Sequence, residues 1–241
     1  GPGVEKISEE IQTIFPSAIV ENISSDTVKN LEHFNITLEK ITKGKVDFII
    51  GTQILAKGYD FPKLNFVGIV DGDVGLYGGD LRSSEKCFQL LSQVSGRAGR
   101  HIKKEKGLVY LQTYNPENSV IKTIKEMDRK MFFKEELDYR KSAFMPPFSR
   151  LISIILSSKS EKLLNEFSLN LLGKSPNYNE ITVLGPAPAP LNFVRGRYRV
   201  RFLIRSSKNV NLQNIVRNWI SSISVPGSIR LSVDVDPYNF L

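Results

Sequence analysis

Cysteine is almost absent from this 241-residue sequence, with Cys87 alone. One cysteine excludes an internal disulfide framework and any cysteine-rich zinc site within the chain. Histidine is nearly as scarce: His33 and His101 are the two, far apart in sequence. Neither a histidine-based metal site nor a Ser-His-Asp triad is expected, and no metal is expected on this chain. Long apolar runs are missing as well. The longest, such as VDFIIG and LISIIL, fall far short of the ~20 residues a bilayer-spanning helix needs. No signal peptide is visible, so no membrane partner is expected. The phosphate-cradling pattern GxxxxGK[ST] does not occur. GTQILAKG has a glycine and a lysine, but neither the spacing nor the following Ser or Thr. The opening Gly1-Pro2 resembles the scar of a cleaved tag and is set aside from fold reasoning.

The rest is an ordinary globular composition, 41% hydrophobic and 24% charged. The length suits one large domain or two smaller ones. The net charge of +8 is placed unevenly. Residues 1–140 hold 20 of the 33 Lys+Arg and 20 of the 25 Asp+Glu, so the remaining 13 and 5 put the whole excess in residues 141–241. A basic half of this kind meets phosphate, in nucleic acid or at a membrane surface, or is simply a basic soluble domain.

Helix and strand patterns alternate through the first half. VEKISEEIQTIF places Val4, Ile7, Ile11 and Ile14 on one helical face. AIVENIS reads as a strand, and SSDTVKNLEHFNITLEKITKG as a capped helix ending at Gly44. VDFIIGT and LNFVGIVDGD read as strands buried on both faces. SSEKCFQLLSQVSG is a helix with Cys87, Leu90, Leu91 and Val94 as its apolar stripe, GLVYLQTY a strand, and NSVIKTIKEMDRKMFFKEELDYRK one long helix. This alternation predicts a parallel sheet flanked by helices. At AFMPPFSR two prolines end the pattern. Strand 151–156, helix 161–172, strands 181–184 and 198–204, helix 212–223 and strand 229–235 follow. The order βαββαβ is that of a ferredoxin-like α+β unit. Two domains are expected, 3–143 and 144–241.

Two stretches carry chemistry. In IIGTQILAKGYDFP a strand ends near Thr52, and Gln53, Gly58, Asp60 and Pro62 follow, at the strand end where parallel α/β sheets bind ligands. QVSGRAGR closes a helix with Gln93, Arg97 and Arg100, each arginine directly after a glycine. A planar, always-charged guanidinium suits a transferring phosphate. The same residues also suit a glycine-capped helix end with two solvated arginines. Asp60 suits an Asx-turn before Pro62. Asp71 and Asp73 in VDGD lack the spacing of an EF-hand loop and read as a strand-end turn.

GTQILAKGYDFP and QVSGRAGR resemble motifs V and VI of superfamily 2 helicases. Together with VDGDVGLYGGDLRSSEKCFQLLSQ and the closing YRVRFLIRSS and LSVDVDP, the resemblance is to the bacterial primosomal replication-restart helicases, from Gly3 to Pro237. It implies a RecA-like second helicase lobe, then a C-terminal DNA- and partner-binding domain. Arg97 and Arg100 would reach nucleotide held by a first lobe, with Gln93 as polar sensor; Asp60 with Gly58 would lie near the nucleotide, and Thr52 and Gln53 would couple it to DNA. The implied activity is ATP-dependent 3′-to-5′ DNA unwinding at stalled forks, in the bacterial cytoplasm and nucleoid. The implied cofactors are ATP with Mg2+ for the whole enzyme and zinc in an upstream module, with none bound to this chain. The implied partners are single-stranded and branched DNA, the acidic tail of single-strand-binding protein and other restart primosome proteins. The family's phosphate loop and DExH-type motif are not in this sequence, so it reads as an excised piece, inactive on ATP alone. Two rivals remain: a non-catalytic basic nucleic-acid-binding module with a degenerate helicase-like domain, and a branch-migration helicase, against which the βαββαβ half argues.

In RGRYRVRFLIR the period is two. Arg197, Arg199 and Arg201 face one side, and Tyr198, Val200, Phe202 and Ile204 face the other. With Arg195, the arginines form a ladder spaced ~6–7 Å apart, suited to a phosphate backbone or to a solvated edge strand. SSKNVNLQNIVRNW opens the last helix. Lys208 and Gln213 there are the resemblance's candidates for the acidic tail, against an ordinary helix cap.

Overall fold

The computed structural model describes residues 3–24, 27–28, 30–53, 61–76, 80–99 and 107–239. The chain divides into two compact units, Gly1–Leu76 with Glu85–Arg129, and Tyr77–Ser84 with Lys130–Leu241.

In the first unit α1 (Val4–Ile14) precedes β1 (Val20–Ile23), and α2 (Leu31–Thr42) precedes β2 (Phe48–Gly51). The Asn30 side chain caps α2 by accepting from the His33 N–H, and Gly44 takes a left-handed φ of 69° just past its end. β1 and β2 run parallel, Val20 opposite Phe48 and Ile23 opposite Gly51. Ile23, Phe34, Ile41 and Phe61 form the core beside them. β3 (Phe66–Ile69) and β4 (Leu108–Leu111) make a second parallel pair, Phe66 opposite Leu108. α3 (Ser83–Ser95) lies between these strands in sequence and buries Cys87, Phe88 and Leu91.

Val4, Ile7 and Ile11 of α1 are half-buried, and Ile14 is exposed. Two expectations need correction here. β3 and β4 are not buried on both faces. Phe66, Leu108 and Tyr110 are exposed while Val67 is buried, because successive side chains point to opposite faces and one face alone is packed. The long helix of residues 118–141 is two helices, α4 (Ser119–Glu126) and α5 (Arg129–Ser142). Met127 breaks it by adopting φ 54°, its N–H donating to the Ile124 carbonyl.

The second unit contains β5 (Arg150–Ser158), α6 (Glu161–Gly173), β6 (Ile181–Val194), β7 (Arg197–Ser206), α7 (Leu212–Ser221) and β8 (Arg230–Val235). The four strands form one antiparallel sheet in the order β6-β7-β5-β8. Period two decides which residues fill its core. Ile152, Ile154 and Leu156 of β5 join Val200, Phe202 and Ile204 of β7 against Leu164 and Leu171 of α6 and Val216 and Trp219 of α7. Each fully buried Ile, Leu or Phe contributes ~1.5–3 kcal/mol. Trp219 Nε1 donates to the Leu171 carbonyl at 3.0 Å, tying the two helices, and its ring meets Phe202 edge-on. β6 is far longer than its apolar start, Ile181–Leu184, predicts: it continues through Gly-Pro-Ala-Pro-Ala-Pro to Val194 with register shifts along β7. An edge strand tolerates prolines because one side of its backbone needs no ladder partner.

Candidate nucleotide and nucleic-acid sites

The second of the two helicase-like motifs is bonded through backbone to the segment that follows the first. After β2, Thr52 and Gln53 are exposed. Gly58 and Asp60 lie outside the described residues, as does Arg100. The chain is described again from Phe61, a buried residue that starts a turn in which Leu64 N–H donates to the Phe61 carbonyl. The Leu64 carbonyl in turn accepts from Gly99 N–H at 2.8 Å, and Asn65 accepts from Leu108 N–H at 2.8 Å. The segment after the first motif therefore holds both the end of the second and the start of β4.

Gln93 is exposed in the last turn of α3, and Arg97 is half-buried just beyond it. The helix closes by Gly96 N–H to Ser92 O and Arg97 N–H to Val94 O. Gly99 has φ 72°, a conformation that strains any L side chain. Gly107 was not singled out in the sequence. A Cβ there would lie 2.3 Å from the Ala98 carbonyl carbon and 2.5 Å from Gly99 N, so the backbone of residue 107 packs directly on the arginine loop. Its sequence signal is modest, a lone glycine at the start of a strand, where close backbone approach is one reason for glycine.

Asp73 is buried and accepts from Thr113 Oγ1 at 2.8 Å and Tyr114 N–H at 2.7 Å, while its own N–H donates to Asp71 Oδ1. VDGD is thus a strand-end turn tied to the end of β4. Among the described residues no cluster of three His, Cys, Asp or Glu side chains is placed to hold a metal. Cys87 Sγ points at the Gly72 carbonyl, and burial, aided by the Asp73 charge, pushes its thiol up to about 11.

In the second unit the β6–β7 hairpin turns at Arg195 and Gly196, with φ 50° and 73° and Val194 opposite Arg197. Two left-handed residues match the right-handed strand twist. Arg195 is exposed at this tip. Arg197 donates from Nη2 to the Ser157 carbonyl at 2.7 Å and the Ser228 carbonyl at 3.1 Å, and from Nε to Ser157 Oγ. Arg199 Nη1 donates to the Leu191 carbonyl at 3.3 Å. Arg201 is half-buried, and desolvation lowers its pKa from the usual arginine value. Further along, Arg205 donates to the Ala143 carbonyl and sits over the Phe144 ring. Sequence periodicity places these arginines on one face but does not reveal that several of them grip their own domain's carbonyls. Lys208 and Gln213 are both exposed, flanking Asn211, whose side chain caps α7 by accepting from Asn214 N–H at 3.1 Å.

The family model for the helicase conserved C-terminal domain matches residues 19–102, and that for the primosomal protein N C-terminal domain matches residues 141–238. The first half is thus a helicase C-terminal lobe with parallel strands, followed by a four-stranded antiparallel sheet with helices. Whole-chain similarity is more specific. The chain is 43% identical over 240 residues to the replication restart protein PriA of Rickettsia conorii, covering 100% of this chain and 37% of that protein. It is 34% identical over 243 residues to that of Treponema pallidum, covering 100% of this chain and 36% of the relative. With that of Bacillus subtilis it shares 31% over 249 residues, 99% of this chain and 30% of the relative. The chain belongs to the PriA replication restart family, as its C-terminal region. It spans about 37% of the length of the relative from Rickettsia conorii.

Proposed function

We propose that this chain is the nucleotide-responsive second lobe and the DNA- and partner-binding C-terminal domain of an ATP-dependent 3′-to-5′ DNA helicase that restarts replication at stalled forks. The observation that carries it is the arrangement of the arginine loop. Gln93 and Arg97 stand at the end of α3, on a loop bonded to the segment after the other motif through Gly99 N–H and Leu64 O. The family resemblance gives that arrangement a task. In this reading the lobe is RecA-like and the sheet domain ferredoxin-like, the latter supported by its order β6-β7-β5-β8. The chain divides functionally at residues 3–143 and 144–241.

The residues act as follows. Arg97 and Arg100 place guanidinium groups on the γ-phosphate of ATP bound with Mg2+ by an upstream first lobe, offsetting the charge that develops as phosphate is transferred. Gln93 senses the same phosphate. Asp60, with Gly58, lies near the nucleotide, and Thr52 and Gln53, exposed after β2, link it to the DNA backbone. Of the four hairpin arginines, Arg195 at the tip is exposed while Arg197, Arg199 and Arg201 are half-buried. Arg197, Arg199 and Arg201 shape a positive surface there, with Arg197 and Arg199 partly engaged by carbonyls. Contacts of this kind position single-stranded or branched DNA without reading its sequence. Lys208 and Gln213 beside the α7 cap receive the acidic tail of single-strand-binding protein. Other primosome proteins join the assembly.

Unwinding of a labelled fork by the polypeptide carrying both this chain and the upstream length of its relatives tests the proposal. ATP-dependent strand separation with 3′-to-5′ tracking is expected. Fork binding without ATP-dependent unwinding would favour a non-catalytic module instead.

A further inference from the structure

We propose that Arg140 is a positioning residue for the arginine loop, holding the turn that leads into α3 so that events in the C-terminal domain reach Gln93 and Arg97. The inference rests on the helicase reading above. Arg140 is only 7% exposed, yet three of its nitrogens are bonded, one to its own helix and two to segments outside it. Nε donates to Glu136 Oε1 at 2.7 Å, Nη1 to the Pro146 carbonyl at 3.1 Å, and Nη2 to the Leu81 carbonyl at 3.0 Å. Leu81 is two residues before Ser83, where α3 begins. A second grip lies beside the first: Arg82 sits 4.3 Å from the ring centre of Tyr238, beyond β8. That tail is itself fixed, because Asp236 N–H donates to the Leu151 carbonyl at 2.8 Å and Asp236 Oδ2 accepts from Arg150 at 3.1 Å. The turn is closed by Ser83 N–H to the Asp80 carbonyl and Arg82 N–H to Asp80 Oδ1.

Residues 80–82 are therefore gripped by α5 and by the C-terminal tail, and α3 grows directly out of them. α3 starts with residues of the second compact unit and ends with residues of the first. A 13-residue helix is a stiff rod ~20 Å long. A shift at Ser83 is carried to its other end, where Gln93, Gly96 and Arg97 sit. Stability alone does not call for this device. A buried Arg–Glu pair generally adds no more stability than apolar packing of the same volume, but it does fix geometry. The planar fork lets one side chain hold three directions at once, which a lysine cannot do.

The test uses the full polypeptide with the upstream length of its relatives, comparing wild type with Arg140→Lys, Arg82→Ala and Tyr238→Leu. The readouts are kcat and KM for ATP with and without saturating single-stranded DNA, DNA affinity and melting temperature. The expected result is a fall in the DNA-stimulation ratio, of about ten-fold for Arg140→Lys and a few-fold for the other two, with KM for ATP and DNA affinity within two-fold of wild type. A merely structural role lowers turnover with and without DNA by the same factor, leaving the ratio unmoved, and that result would overturn the proposal. If Arg140→Lys does not fold, the two milder variants decide it by the same ratio. Arg97→Ala, run alongside, reports on the underlying helicase reading: full turnover there counts against that reading, whatever the Arg140 ratio.

Discussion

Replacing Gly107 by alanine perturbs the arginine loop without touching any charge. The new methyl would lie 2.3 Å from the Ala98 carbonyl carbon and 2.5 Å from both the Ala98 oxygen and Gly99 N. All three are backbone atoms, so no side chain can rotate away. Ordinary contact then requires a backbone shift of roughly 1 Å, and overpacking of this kind costs about 1–3 kcal/mol. Alanine returns ~0.4–1 kcal/mol by narrowing the unfolded ensemble. The net loss is about 0–2.6 kcal/mol, with a midpoint of about 1.3 kcal/mol or roughly 3–5 °C in Tm for a chain of this size. Gly173, at the end of α6, is the matched control, because nothing lies within 4 Å of its added Cβ. Gly173→Ala should be neutral or slightly stabilising. Both variants are measured by thermal unfolding, and by ATP turnover in the full polypeptide. Since the displaced peptide is next to Arg97, Gly107→Ala should also lower turnover by at least ten-fold. A Gly107→Ala protein with wild-type Tm and turnover would refute the packing argument and the placement of the loop.

Three further outcomes are expected. Cys87 is held neutral to about 11 against 9.0 for a free thiol, so at pH 8 its thiolate population should be ~100-fold lower folded than unfolded, and alkylation should be slowed accordingly. Because its folded pKa is the higher one, its contribution to stability is present below pH 9 and is lost as pH rises toward 11; Cys87→Ala should flatten that part of the curve measured by urea unfolding. Trp219→Phe keeps an aromatic ring but removes one of two hydrogen bonds to the Leu171 carbonyl, which still accepts from Lys174 N–H, and should cost about 0.5–1.5 kcal/mol in chemical denaturation. On single-stranded DNA, Arg195→Ala should lower the salt slope of binding by about 0.7 with little change in Tm, whereas Arg197→Ala, which frees the Ser157 and Ser228 carbonyls, should lower Tm as well. An unchanged slope for Arg195→Ala would place the DNA elsewhere.

Much of this architecture is legible from periodicity. The period-two alternation of RYRVRFLI and LISIIL places Val200, Phe202, Ile152 and Ile154 in one core, and the helix caps at Asn30, Ser160 and Asn211 are of the polar types expected there. What periodicity misses is set by backbone and by distant partners. Met127 breaks a helix by a left-handed turn that its residue type does not announce. The proline-rich stretch becomes strand because its neighbour β7 supplies a partner along one edge. In the candidate site, Gln93 and Arg97 are recognisable by residue type, but the bond from Gly99 to Leu64 and the close approach of Gly107 exist only once the chain is folded. The arginine ladder shows the same limit. Alternation gives its face, while the carbonyls of Ser157, Ser228 and Leu191 decide which guanidinium groups are already engaged.

The most direct measurement is DNA-stimulated phosphate release by three proteins side by side: this chain alone, the same chain joined to the upstream length of its relatives, and that longer polypeptide with Arg97→Ala. The chain alone should release no phosphate above background, since it lacks the GxxxxGK[ST] loop. The longer polypeptide should turn over ATP when DNA is added. Arg97→Ala should lower that turnover by about 10³-fold or more while leaving DNA affinity near wild type. Turnover by the chain alone, or an Arg97→Ala enzyme as fast as wild type, would contradict the assignment of this chain as the arginine-bearing second lobe.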